Sequence, residues 1–144
     1  MKTRSNKAKR DKGAILADTK NLLGILHVAL QHMPKIERIE GAPCEFKRAC
    51  YDLIRHYNTA FGCPEVRLEN IHRMFGDFGV MLASFDLCIN CGFFTDTERL
   101  HIAEQLDKIE EGIEKWRNAT RSPKSQEQQT VTEKKPAEVA VSND

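Results

Sequence analysis

IHRMFGDFGVMLASFDLCI, residues 71–89, repeats its apolar side chains every seven positions. One row is Ile71, Phe78 and Phe85, a second Met74, Met81 and Cys88, and a third Phe75, Leu82 and Ile89. Steps of three and four keep such residues on one side of an α-helix, since 3.6 residues complete a turn. The stretch predicts a long helix over 64–90 that buries one stripe against other helices, with Gly92 as its stop.

The same stepping appears on either side. Upstream, Phe46, Cys50, Leu53, Tyr57 and Ala60 form a core row, widened by Ile54 and Phe61, and Pro43 suits the start of that helix. Gly62, Cys63 and Pro64 read as the turn between the two. Downstream, Ile102, Leu106, Ile109, Ile113 and Trp116 follow Thr95-Asp96-Thr97-Glu98, a capping box whose first and last members satisfy each other's free amides. The first helix has rows Ile15, Leu22, Ala29; Leu16, Leu23, Leu30; and Leu26, Met33, with Asp18 as its candidate N-cap. Pro34 ends or kinks it, and Lys35 to Ala42 reads as a charged connection broken at Gly41. Helices near 15–33, 43–61, 64–90 and 95–117, joined by short connections, predict an all-α, antiparallel up-down-up-down four-helix bundle.

Charge divides the chain further. The overall balance is only +1, yet residues 1–13 carry Lys2, Arg4, Lys7, Lys9, Arg10 and Lys12 against Asp11 alone, a net +5. Residues 14–117 hold 12 basic and 16 acidic side chains, a net −4. From Asn118 onward the composition turns to Ser, Gln, Thr, Glu, Lys and Pro, too polar to offset the entropy of ordering. The expected organisation is a basic flexible arm (1–13), a bundle (14–117) and a disordered polar tail (118–144). The five cysteines, odd in number and irregularly spaced, point to a reducing compartment and a cytoplasmic protein. No stretch reads as a membrane span, and no membrane partner is expected.

No catalytic, cofactor or metal constellation is read from the chain, and the expectation is a protein that is not an enzyme. Cys88-x-x-Cys91 lacks the second pair a structural zinc site needs and the βαβ context of a redox site, and Cys88 belongs to a core row. Glu69-x-x-His72 and Glu98-x-x-His101 have di-metal spacing, but on antiparallel neighbours they fall at opposite ends of the bundle. The acidic run Glu104, Asp107, Glu110, Glu111, Glu114 reads as a solvated face. Lys35, Arg38, Lys47, Arg48 and Arg55 are nucleic-acid candidates alongside the arm, whose uniform sign suits phosphate backbones. Gly76, Gly79 and Ala83 cluster away from the apolar stripe although glycine costs a helix about 1 kcal/mol relative to alanine. Such a flank admits another backbone closely and is the candidate oligomer contact.

Read together, the four blocks resemble the accessory variability determinant (Avd) family, small helical partners of reverse transcriptases in diversity-generating retroelements. The likeness spans roughly Asp18 to Trp116. It rests on the first helix running into Met33-Pro34-Lys35, the second helix after Gly41, the third ending in Cys88-Ile89-Asn90-Cys91-Gly92, and Ile109, Gly112 and Trp116 in the last. Four-helix proteins encoded in ribosomal-RNA intervening sequences share much of the pattern. The resemblance implies a homopentamer that binds the reverse transcriptase and its template RNA and supports mutagenic cDNA synthesis without catalytic residues of its own. Avd-like bundles tend to be strongly basic, whereas this one is net acidic, so the arms would have to supply the positive charge. The competing expectation is a four-helix structural or protein-interaction module without a nucleic-acid role.

Overall fold

The apolar stripes fold as the heptad stepping requires, into four long helices with one short helix between the first two. The structure, a computed structural model, describes the backbone from Lys2 to Arg121 and the side chains from Gly13 to Arg121. Its elements are α1 (Lys2–Leu30), α2 (Lys35–Glu40), α3 (Ala42–Gly62), a 3-10 turn (Pro64–Val66), α4 (Arg67–Asn90) and α5 (Asp96–Thr120). No strand occurs among the described residues.

Each long helix contributes its predicted row to one core. Ile15, Leu22 and Leu26 of α1, Phe46 and Leu53 of α3, Ile71, Met74 and Met81 of α4, and Ile102, Ile109 and Ile113 of α5 lose essentially all exposure. Burying side chains of this size contributes about 1.5–3 kcal/mol apiece. Inter-helix contacts set the directions. Phe46 meets Phe85 edge-on at 6.0 Å, while His56 meets Asp77, so α3 and α4 run oppositely. Ile15 lies against Gly112, and Ile25 shares a groove with His101 and Gln105, so α1 and α5 also run oppositely. Phe75 pairs with Arg117, and Phe85 and Ile89 share a groove with Leu100 and Ala103, so α4 and α5 are antiparallel as well.

The helix ends show how local chemistry adjusted the expected boundaries. Thr95 caps α5 by accepting from the Glu98 amide at 3.2 Å, and the Glu98 carboxylate accepts from the Thr95 amide at 2.9 Å. At the end of α4, Gly92 takes φ +72, its amide bonds Ile89 O, and the Phe93 amide bonds Cys88 O, the paired bonds that close a helix on a left-handed residue. α1 stops at Leu30, not 33, because the amides of Gln31, His32 and Met33 tighten onto carbonyls three residues back, just before Pro34. Lys35–Glu40, expected as a plain connection, forms α2, started by the Pro34 carbonyl accepting from Glu37 and Arg38. Asp18 lies inside α1 and caps nothing; the helix begins at Lys2, upstream of the expected start, through a stretch free of proline and rich in lysine and arginine. α5 continues past the expected end to Thr120, and residues 122–144, most of the expected tail, lie outside the described residues.

Two side-chain placements also depart from expectation: Phe61, read as widening the α3 core face, is 58% exposed, and Leu82, read in the third apolar row of α4, is 40% exposed. Gly13–Leu30 is one helix long and apolar enough by length and composition to cross a membrane, contrary to the sequence reading. In the fold its apolar row is spent on the core through Ile15, Leu22, Leu26 and Ala29.

Trp116 is 3% exposed and packs on Tyr57 at a ring separation of 5.5 Å, joining α5 to α3. Trp116→Ala should destabilise the protein by about 3–5 kcal/mol. Urea denaturation followed by circular dichroism measures this, and a change below about 1 kcal/mol would contradict the packing described.

Candidate nucleic-acid interface

Register between α1 and α5 decides where the basic residues gather. A Cβ built on Gly112 would sit 2.8 Å from Ile15 Cγ1, so a larger residue there would displace the Ile15 side chain or part the two helices. Both backbones rise about 1.5 Å per residue. With Ile15 level with Gly112, the antiparallel continuation of α1 toward Lys2 runs beside and beyond Trp116–Thr120. Lys2, Arg4, Lys7, Lys9, Arg10 and Lys12 belong to that backbone, and their side chains lie outside the described residues.

The mid-chain candidates do not form one patch. Lys35 and Arg38 are exposed on α2, interleaved with Glu37 and Glu40. Lys47, Arg48 and Arg55 are strung along the outer side of α3. Arg48 is held by Glu45 at 2.8 Å and Arg55 by Asp52 at 2.7 Å, exposed pairs within one turn that contribute about 0.3–0.5 kcal/mol each.

Arginines at the other end of the bundle behave differently, and the sequence reading did not single out Arg117 and Arg121. Arg117 lies over the Phe75 ring, 4.7 Å from its centre, and its buried Nε has no hydrogen-bond partner among the described residues. Arg121 Nη2 donates to His72 Nε2 at 2.8 Å. Arg67 donates from Nε to Ala60 O at 2.9 Å and from Nη2 to Phe61 O at 3.4 Å, covering the end of α3. The available sequence signal was the four-residue spacing of Arg117 and Arg121, which puts both on one face of the last helical turn.

Gly76 and Gly79 are exposed, with nothing within 4 Å of a built Cβ, and Ala83 is exposed beside them. Val80 and Leu87, 47% and 55% exposed, lie on the same side of α4. From Met74 to Phe85 the one ionisable side chain is Asp77, and it is engaged by His56 Nδ1–H at 2.5 Å. Burial pushes the Asp77 carboxyl up, the His56 bond pulls it back in part, and nearby Asp52 adds to the rise. The outward surface of α4 is therefore uncharged for three turns.

The two Glu-x-x-His motifs lie far apart, and three of their four side chains are committed to other contacts. His72 accepts from Arg121 at the end of α5 and Glu69 binds Arg73 at 2.9 Å, while Glu98 serves the cap at the start of α5. No group of three His, Cys, Asp or Glu side chains is placed to hold a metal ion among the described residues. Cys88 is fully buried, and burial, followed by Cys91 and Glu37, pushes its thiol up to about 12. Burial also pushes the Cys50 thiol far up, whereas Cys91 is exposed.

The chain matches no protein-family model, and neither a curated protein nor a solved structure matches it.

Thiol chemistry should follow burial, because only the thiolate attacks and a raised pKa removes it at neutral pH. With iodoacetamide at pH 8 the native protein should be carboxamidomethylated at Cys91, with Cys50 and Cys88 modified only after unfolding. Peptide mass spectrometry reads the order; early labelling of Cys88 would contradict its placement.

Proposed function

We propose that this protein is a non-enzymatic accessory protein of a diversity-generating retroelement, binding a reverse transcriptase and its template RNA in the cytoplasm. The observation that carries the reading is the concentration of positive charge at one end of a net acidic four-helix bundle. The register set at Gly112 brings the +5 start of α1 to the end that also holds Arg67, Arg117 and Arg121. The Avd resemblance supplies the class of partner. A polyanion is attracted to such an end by counterion release, whatever its sequence. The acidic run of α5 offers the polymerase a surface of opposite sign.

Self-association belongs to the same proposal: a closed homo-oligomer, a pentamer by the resemblance, with the uncharged outer side of α4 as the contact. Gly76, Gly79 and Ala83 permit close approach there, and Val80 and Leu87 supply apolar area. That same surface favours the second reading, a structural or protein-interaction module without RNA. The two part on one result: intact assembly with no RNA affinity supports the module.

Deleting residues 1–13 should flatten the salt dependence of RNA binding by about 0.7 in log–log slope for each phosphate no longer neutralised, with helix content of the bundle retained. Filter binding across a series of salt concentrations measures it, and an unchanged slope would exclude this segment as an RNA contact. Gly79→Leu should lower the assembled mass in analytical ultracentrifugation without lowering the helical signal. A wild-type protein that stays monomeric at micromolar concentration would defeat the assembly proposal.

A further inference from the structure

Arginines in this fold fall into two sets according to what holds them. Arg48, Arg55, Arg73 and Arg99 each face a carboxylate within one turn of their own helix. Arg67, Arg117 and Arg121 have neutral partners instead: carbonyl oxygens, a phenyl ring and an imidazole nitrogen. Among the described residues none of these three meets a carboxylate. Among the described residues Arg38, exposed on α2 at the far end, lies outside both sets. A carboxylate partner spends a guanidinium's charge, whereas a neutral partner orients the fork and leaves the charge for a ligand. Three oriented, unneutralised guanidiniums at one end call for an anion.

Of the carboxylates nearby, Glu69 is neutralised by Arg73, while Glu65 accepts from the uncharged Cys63 thiol, a bond that raises the thiol, lowers the Glu65 carboxyl and leaves its negative charge in place. Glu111 pairs with Lys115 at 2.9 Å further along α5. An aromatic surface completes this end. Phe61 stacks on Tyr57 with rings 17° from parallel and turns its other side to solvent, and Tyr57 rests on Trp116, the neighbour of Arg117. The carbonyl of Phe61 is itself bound by Arg67.

We infer that Arg67, Arg117, Arg121 and the open face of Phe61 form a binding site for single-stranded RNA, the arginines taking phosphates and Phe61 stacking a base. The inference rests on the RNA-binding reading and deepens it by naming the contacts. Single strands fit better than duplex because an unstacked base is what an exposed ring accepts. The side chains proposed from sequence on α3 are not part of the site, the charge of Arg48 and Arg55 being spent on Glu45 and Asp52.

The test is fluorescence anisotropy of the full chain with a labelled oligouridylate of roughly 20 nucleotides, long enough to span the site, repeated across salt concentrations. R117A/R121A should weaken binding by about tenfold or more and reduce the log–log salt slope by about 1.4. F61A should weaken binding about tenfold with the slope unchanged, since stacking releases no counterions. R48A/R55A should change affinity less than twofold. Phe61 and Arg121 are exposed, so F61A and R121A keep the test independent of any loss of packing under Arg117, and a thermal melt of each variant checks the fold. Unchanged affinity in R121A and F61A, with the wild type binding, overturns this site and leaves the RNA reading to the start of α1. An arginine effect without a Phe61 effect, or equal binding of a duplex probe, overturns the single-strand assignment. No binding by the wild type sinks the RNA reading together with this site.

Discussion

Contact between Ile15 and the backbone at Gly112 is the constraint on which the organisation of the molecule depends. A methyl group there would force the two helices apart or displace a side chain from the core. With Ile15 level with Gly112, the contact also marks which residues beyond it come together. A slide of one helical turn would shift α1 by about 5.4 Å along α5 and move its basic start relative to Arg117 and Arg121. Charge placement at the end of the bundle is thus a consequence of packing in its core.

Trp116 plays the corresponding part between α5 and the other half of the bundle. Its ring lies on Tyr57, and Tyr57 carries Phe61 outward into solvent. A buried anchor therefore supports an exposed ring, so that Phe61 is presented from a fixed base although it fills no core position. Arg67 bonding the carbonyls of Ala60 and Phe61 adds a second restraint at the same helix end. An exposed ring stacked on one face, with its own backbone carbonyl bonded, gives up less conformational freedom on stacking against a base than one on a mobile loop.

How much was legible in the sequence follows from the range of the forces concerned. Heptad rows are local and repeated, so the core positions, the cap at Thr95 and Glu98 and the stop at Gly92 could all be read directly. The start of α2 depended on one carbonyl before a short segment with no buried residue, and no periodicity marks that. Phe61 stepped correctly for a core position but falls at the last turn of α3, where the neighbouring helices no longer cover it. Arg117 and Arg121 were hidden for a different reason: their partners Phe75 and His72 lie far back in the chain, on another helix, and an arginine's availability is settled by its partner. Arg48 and Arg55 looked equivalent by count, and their neutralisation by Glu45 and Asp52 one turn away was readable from spacing alone.

The separation of a basic end from an acidic body gives the molecule a permanent electric dipole along its long axis. α5 alone spans about 37 Å at 1.5 Å per residue. That is several times the screening length of about 8 Å at physiological ionic strength. A polyanion arriving at one end is therefore blind to much of the negative charge farther along the body, and a net charge near zero does not describe what it meets. At lower salt the field reaches farther and exerts a torque, turning the protein end-on before contact. Orientation during the encounter would then be set by ionic strength, independently of the strength of the final complex.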